Sequence, residues 1–89
     1  MYKILPLKKK FEKAIRSLPP AYKEKLPDVF QDIERNPYIH PTGKITPFKA
    51  NLKHMGWHYD LSDNLRIHYE INESTKEITV TYIGPHPKY

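Results

Sequence analysis

The feature that most restricts the fold of this chain is a period-two alternation of apolar and polar residues in its C-terminal part. The alternation covers residues 57–61, 65–71 and 78–82. Two polar stretches, residues 62–64 and 72–77, separate these segments and are typical of tight turns. Because successive residues of a strand point to opposite faces, the pattern predicts an antiparallel meander with one apolar and one polar face.

The apolar residues also predict the register of this meander. Pairing Leu61 with Leu65, and Ile71 with Ile78, keeps the apolar side chains on one face, whereas a slip of one residue would expose them. On the apolar face, the expected pairs are Trp57–Tyr69, Tyr59–Ile67, Tyr69–Val80 and Ile67–Tyr82. We expect the polar face to be open to solvent and to carry two neighbouring rows of side chains. One row consists of His58, His68 and Thr81, and the other of Asp60, Arg66 and Ile83.

The N-terminal half has the spacing of amphipathic helices. Apolar residues recur every three or four positions between residues 7 and 18, which predicts a helix that ends at Pro19 and Pro20. Residues 22–33 repeat this spacing and predict a second helix ending near Asn36. Pro27 lies inside the second helix and lacks a backbone donor, so we expect a kink or a restart there.

The flanking segments complete the predicted architecture. Residues 2–7 resemble a short strand, the Pro- and Gly-containing residues 37–47 a loop, and residues 48–55 a further strand. The sequence therefore predicts one α+β domain over residues 1–89, with a short N-terminal strand, a two-helix hairpin and a twisted antiparallel sheet.

Composition and charge restrict the partners. The 89 residues include no cysteine, which excludes disulfides and thiolate metal sites, and no apolar run is long enough to span a membrane. Nothing resembles a signal peptide, so we expect a cytoplasmic protein. Residues 1–53 hold twelve Lys and Arg against five Asp and Glu. This basic half can attract phosphate groups or an acidic protein, or it can simply be the solvated face of a helix.

Histidine supplies the candidate chemistry. The spacing of His54 and His58 suits a metal only on a helix, because on a strand it separates the two residues by about 13 Å. The local alternation favours a strand, and we therefore predict no metal site and no cofactor. His86 lies between two prolines, where an imidazole suits general acid–base work, although an exposed loop histidine is the common alternative. The terminal Tyr89 can stack on a base or fray.

Five segments, read in order, resemble one protein family. They are Phe11-Glu12-Lys13-Ala14-Ile15 with Leu18, Ile33-Glu34-Arg35-Asn36-Pro37, Leu52-Lys53 with Gly56-Trp57, Leu65-Arg66-Ile67-His68-Tyr69-Glu70-Ile71, and Ile83-Gly84-Pro85-His86. Their order and spacing resemble the RelE/ParE superfamily of bacterial and archaeal toxins over nearly the whole chain.

The resemblance implies the toxin of a type II toxin–antitoxin system. RelE-like members enter the ribosomal A site and cut mRNA, where the ribose 2′-OH attacks the adjacent phosphate. The implied partners are a cognate antitoxin, the ribosome and mRNA. Two alternatives remain open at this point: a ParE-like inhibitor of DNA gyrase without nuclease activity, and an inactive, basic RNA-binding relative.

The resemblance also implies roles for individual residues. The tail residue His86 matches the position that acts on the scissile phosphate, and Tyr89 matches the tail aromatic that contributes to the reaction or stacks on a base. Many relatives have an additional arginine near residues 60–62; here His58 and Asp60 replace it, as in the YafQ-like branch, or Asp60 simply forms an ion pair with Arg66. The residues implied to bind RNA phosphates are Lys49, Lys53, His54, Arg66 and Lys88.

Overall fold

The computed structural model describes residues 1–47, 56–62 and 64–85. The predicted strand over residues 48–55 and the tail after Pro85 lie outside these ranges. The α+β prediction is confirmed, with one short strand, two helices and then the remaining strands. In chain order, the elements are β1 (Lys3–Ile4), α1 (Lys9–Arg16), α2 (Pro20–Arg35), β2 (Ile45–Pro47), β3 (Trp57–Asp60), β4 (Leu65–Asn72) and β5 (Glu77–Pro85).

Both helices form where the apolar spacing predicts them. Pro20 begins α2, a position in which its missing N–H costs nothing because the first turn has no acceptor for it. The predicted restart at Pro27 is wrong, since α2 runs through this residue as one helix. Pro27 has no N–H to donate to the carbonyl group of Lys23, four residues earlier. Both residues are exposed, so water can hydrate this carbonyl group instead.

Within the described ranges, five strands form one sheet in the order β1-β5-β4-β3-β2. Strand β1 pairs with β5 in parallel, and the other neighbours are antiparallel. Strand β2 lies within residues 37–47, so the prediction that this whole segment is a loop is wrong. Pro47 fits in β2 because this strand is at the edge of the sheet, where a missing donor is tolerated. None of the helices among the described residues is long and apolar enough to cross a membrane.

The β3–β4 register agrees with the prediction, but the β4–β5 register shifts. His58 faces His68 and Asp60 faces Arg66, as expected. Tyr69 pairs with Val80, but its neighbour His68 pairs with Tyr82, so Thr81 is the extra residue of a β-bulge. The expected pair of Ile67 with Tyr82 is therefore wrong, as are the expected places of Thr81 and Ile83 in the rows on the polar face. Beyond the bulge, the partners are Ile67–Ile83, Arg66–Gly84 and Leu65–Pro85.

The hydrophobic core lies between the helices and the apolar face of the sheet. Ile33 of α2 is 1% exposed, and Ile67, Tyr69 and Ile78 of the sheet are fully buried. The buried hydroxyl of Tyr69 donates a 2.7 Å hydrogen bond to the carbonyl of Pro37, which fixes the chain that leaves α2. The other buried apolar residues are Phe11, Leu18, Leu26, Val29, Ile45, Tyr59, Val80 and Ile83.

A polar cluster on the surface joins three distant segments. The carboxylate of Glu73, in the turn between β4 and β5, accepts hydrogen bonds from the hydroxyls of Tyr2 and Tyr38 and from Lys76. The tyrosine rings pack edge to face, with centroids 6.1 Å apart. The cluster therefore ties the N-terminus and the segment after α2 to this turn.

Candidate functional site

Three of the predicted site residues meet on the polar face of the sheet. Nδ1 of His58 lies 2.9 Å from Oδ1 of Asp60, and Nε of Arg66 lies 3.1 Å from the same oxygen. The backbone explains this proximity, because residues two apart on one strand share a face and Asp60 directly faces Arg66 on β4. An ionised carboxylate only accepts hydrogen bonds, so the imidazole proton is on Nδ1.

Two histidines and a tyrosine form a second row beside this group. The ring centroids of His58 and His68 are 6.1 Å apart, and those of His68 and Tyr82 are 4.9 Å apart. His58 is only 7% exposed and His68 only 3%. The polar character of this face is confirmed, but the expectation that it is open is wrong at the two histidines. The bulge at Thr81 turns Tyr82 onto this face.

Tyr82 also forms a hydrogen bond with Pro85, the last described residue of the chain. Its hydroxyl donates a 2.6 Å hydrogen bond to the carbonyl oxygen of Pro85. Gly84 leaves room for this contact, because a Cβ there would lie only 3.0 Å from the Tyr82 hydroxyl oxygen, which would have to shift slightly. Pro85 pairs with Leu65, the neighbour of Arg66, so the last described residue lies beside the Asp60–Arg66 pair.

A cleft of about 300 Å³ lies next to Arg66. The backbone N–H of Asp60 donates to the carbonyl of Lys44 over 2.9 Å, which brings the turn before β2 to this place. Thr42 lies in the same turn, and neither Thr42 nor Lys44 was among the predicted site residues. The cleft is lined by Thr42, Gly43, Lys44, Asp60, Ser62 and Arg66.

The turn that carries Thr42 is braced by His40. The N–H of Thr42 donates to Nδ1 of His40 over 3.1 Å, so the ring proton is on Nε2, which donates to Oδ2 of Asp32 over 3.1 Å. The hydroxyl of Tyr59 lies 3.4 Å from the same Nε2. Burial, and next the charge of Asp32, raise the pKa of Tyr59, which stays protonated. These contacts give His40 a structural role.

The structure brings together three of the nine predicted site residues. His58, Asp60 and Arg66 form the group described above. The other six are Lys49, Lys53, His54, His86, Lys88 and Tyr89, which lie outside the described residues, and their roles stay predictions. Among the described residues, no group of three His, Asp or Glu side chains is suited to hold a metal ion.

The sequence contains a partial signal for the residues that were missed. Tyr82 and Ile83 are adjacent bulky residues that break the period-two alternation, and such a break is what a bulge produces. Lys44 carries no comparable signal, because the prolines around it suggest a loop. Its place in the cleft depends on the pairing of β2 with β3.

Comparison with known proteins supports the fold. No protein-family model matches the sequence, and no curated protein matches it. Among solved structures, a YoeB/ParE toxin from Agrobacterium tumefaciens is similar at a TM-score of 0.71 and 19% identity, covering 98% of this chain and 100% of that chain. The archaeal RelE–RelB complex from Pyrococcus horikoshii OT3 is similar at a TM-score of 0.71 and 22% identity, covering 99% of this chain and 96% of that chain.

A third solved structure agrees with these two. The YoeB–YefM complex from Staphylococcus aureus gives a TM-score of 0.67 and 17% identity, covering 98% of this chain and 97% of that chain. The similarity extends over nearly the full length of both chains in every case. This chain therefore has the fold of the RelE/ParE toxins, as its segments predicted.

Proposed function

We propose that this protein is the toxin of a toxin–antitoxin pair and an endoribonuclease that cleaves mRNA on the ribosome. The observation that supports this most is the contact of His58 and Arg66 with one carboxylate, that of Asp60, beside the point where the chain continues to His86. A base, an anion-binding cation and a nearby acid are the groups that cleavage of a phosphodiester by its own 2′-OH requires.

His58 is the proposed general base. Its Nδ1–H donates to Asp60, which fixes the tautomer in which the basic lone pair is at Nε2. The carboxylate also stabilises the imidazolium that forms when the ring takes a proton. Asp60 is therefore a positioning residue in this proposal and does not itself accept the proton.

Arg66 and the tail residues complete the proposed site. The guanidinium of Arg66 is partly exposed and contacts Asp60 through Nε, so its remaining N–H groups can bind phosphate oxygens. His86 is the proposed acid and Tyr89 the aromatic group that stacks on a base. Lys49, Lys53, His54 and Lys88 are proposed to bind the RNA backbone.

The proposed step balances without a cofactor. The 2′-OH gives its proton to His58, and its oxygen forms a bond to the adjacent phosphorus. The bond between phosphorus and the 5′ oxygen breaks, and that oxygen takes a proton from His86. The products are a 2′,3′-cyclic phosphate and a free 5′-OH end, and the ribosome contributes by holding the mRNA in the orientation for in-line attack.

A cognate antitoxin is the proposed protein partner. Two of the three similar structures named above are complexes, RelE with RelB and YoeB with YefM. Residues 1–53, which include both helices, hold twelve Lys and Arg against five Asp and Glu. An antitoxin segment with acidic residues would therefore be attracted to this half of the chain. A protein encoded beside this one that abolishes its activity and binds it would support this partner.

Expression of the protein alone, with and without His86→Ala, tests the proposal. We expect growth arrest and new 5′-OH ends in translated mRNA, mapped by primer extension, and we expect His86→Ala to abolish both. Thr79→Ala is the control, because Thr79 is exposed on β5 at the end away from Pro85.

Two results would contradict the nuclease proposal. Growth arrest with intact mRNA and altered DNA supercoiling would favour a gyrase inhibitor. Intact mRNA in a purified translation system made with ribosomes of the source organism would favour an inactive RNA-binding relative.

A further inference from the structure

The cleft beside Arg66 has the charge of an anion site. Among the described residues, Lys44 and Arg66 line it together with one carboxylate, that of Asp60. This carboxylate already contacts His58 and Arg66, whereas Lys44 forms no ion pair with any residue in the described ranges. The field in the cleft therefore favours a negatively charged group.

The turn that lines the cleft is held in place before any ligand binds. The N–H of Gly43 donates to the carbonyl of His40 over 2.9 Å, and the N–H of Thr42 donates to the His40 ring. The His40 ring is held in turn by Asp32. A turn braced in this way loses little entropy when a ligand orders against it.

Gly43 keeps the entrance to this turn open. Its φ of +76° is in the left-handed region, and a Cβ built on it would meet no atom within 4 Å. A ligand can therefore approach the backbone closely at Gly43. At about 300 Å³, the cleft has the volume of a small ligand-binding site.

The position of the cleft relative to the proposed site indicates its ligand. Lys44 contacts β3 beside Asp60, and Asp60 faces Arg66 on β4, so the backbones of Lys44 and Arg66 are two strands apart. Two strand spacings amount to about 10 Å. Arg66 lines one end of the cleft and binds the scissile phosphate in the proposed reaction, so a phosphate at the Lys44 end belongs to the same RNA strand.

We infer that the cleft between Lys44 and Arg66 is a second phosphate subsite, which binds the backbone phosphate next to the scissile one in single-stranded RNA. The inference rests on the proposed function for the identity of the RNA. Lys44 and Arg66, which both line the cleft, contribute the positive charge and the N–H donors for the phosphate oxygens.

Binding of an RNA that cannot be cleaved tests the subsite separately from catalysis. The probe is a labelled single-stranded RNA in which every ribose carries a 2′-O-methyl group, titrated with purified protein at several salt concentrations. We expect Lys44→Gln to weaken binding roughly three- to tenfold and to lower the slope of log K against log salt by about 0.7. Lys3→Gln is the matched control, because β1 and β2 are at opposite edges of the sheet and Lys3 is exposed.

The outcomes distinguish the subsite from the nuclease proposal. Equal affinity and equal salt slope for the Lys44→Gln and Lys3→Gln proteins would overturn the subsite, as would a wild-type protein that does not bind this RNA. If Lys44→Gln weakens binding of a poly-glutamate peptide but not of the RNA, the cleft binds an acidic protein segment and the inference is also overturned. Lys44-dependent RNA binding without cleavage on ribosomes would support the subsite and contradict the nuclease.

Discussion

The imidazole of His58 donates a hydrogen bond to the carboxylate of Asp60, two residues later on the same strand, over 2.9 Å. Both side chains point to the polar face because strand residues two apart share a face. Asp60 is about one-third exposed at its side chain, while His58 is almost completely buried. The carboxylate can therefore orient the ring from the surface, where it also contacts Arg66.

Replacement of Asp60 by Asn is expected to reduce mRNA cleavage at least about 100-fold, because the amide can neither fix the same tautomer of His58 nor stabilise its imidazolium. The measurement is the single-turnover cleavage rate on programmed ribosomes. Asp28→Asn is the control, since Asp28 is exposed on α2. Wild-type rates for Asp60→Asn would show that Asp60 does not position a catalytic base at His58.

Replacement of Tyr82 by Phe is expected to lower the cleavage rate about tenfold or more, because the hydroxyl no longer holds Pro85, the residue directly before the proposed acid His86. The loss of the hydrogen bond is expected to cost about 0.5–1.5 kcal/mol of stability. If Tyr82 positions Pro85 for catalysis, the cleavage rate at saturating ribosome concentration falls in Tyr82→Phe. The ribosome concentration that gives the half-maximal rate stays constant.

Tyr22→Phe on α2 provides the control for Tyr82→Phe, because it removes a hydroxyl from the other side of the fold. If both variants lose the same activity, Tyr82 contributes only to general stability. An unchanged rate in Tyr82→Phe would show that the bond to Pro85 does not matter for catalysis.

The Glu73 cluster is expected to make stability depend on pH in the acid range. Hydrogen bonds from Lys76, first, and then from Tyr38 and Tyr2 lower the pKa of Glu73 from 4.5 to about 2. A carboxyl whose pKa is lower in the folded protein stabilises the fold fully above the unfolded pKa, and the contribution is lost as the pH falls from about 4.5 to 2.

Thermal unfolding of the wild type and Glu73→Gln between pH 2 and 7 checks this prediction. The difference in Tm should be constant above pH 5 and should shrink towards zero near pH 2. Glu24→Gln, an exposed change on α2, should show no such trend. A Tm difference for Glu73→Gln that stays constant down to pH 2 would contradict the role of the ionised carboxylate.

Two glycines with positive φ are expected to respond differently to replacement by alanine. A Cβ at Gly56 would lie 2.4 Å from the backbone oxygen of Tyr69, whereas one at Gly43 would meet nothing within 4 Å. Gly43→Ala should cost only the left-handed backbone strain, about 1–2 kcal/mol. Gly56→Ala should cost at least about 2 kcal/mol more, because the backbone of β4 must move.

Denaturant unfolding of the two glycine variants measures this difference directly, with far-UV circular dichroism confirming that each folds. Equal destabilisation of the two proteins would mean that the segment at Gly56 does not approach β4 as closely as the structure indicates.

The sequence predicted the meander correctly where turn length and the alternation of apolar residues determine the strand register. The β3–β4 register followed from a short turn and from the burial of alternate apolar residues, and it correctly placed His58 opposite His68 and Asp60 opposite Arg66. The β4–β5 register failed beyond Val80, because a bulge at Thr81 lets Ile83 reach the core and turns Tyr82 outwards. Strand alternation contains no rule that fixes where such an extra residue occurs.

The sequence by itself determined the order of the elements, the apolar faces that form the core and the grouping of His58, Asp60 and Arg66, because these depend on periodicity and on neighbouring residues. The tertiary structure alone decided the burial of His68, the hold of Tyr82 on Pro85 and the cleft at Lys44. The physical reason is that these features depend on pairings between distant segments. Their geometry follows from how β2, β3 and β5 align once the core has packed, and the break in the alternation at Tyr82 and Ile83 is only a partial local sign of it.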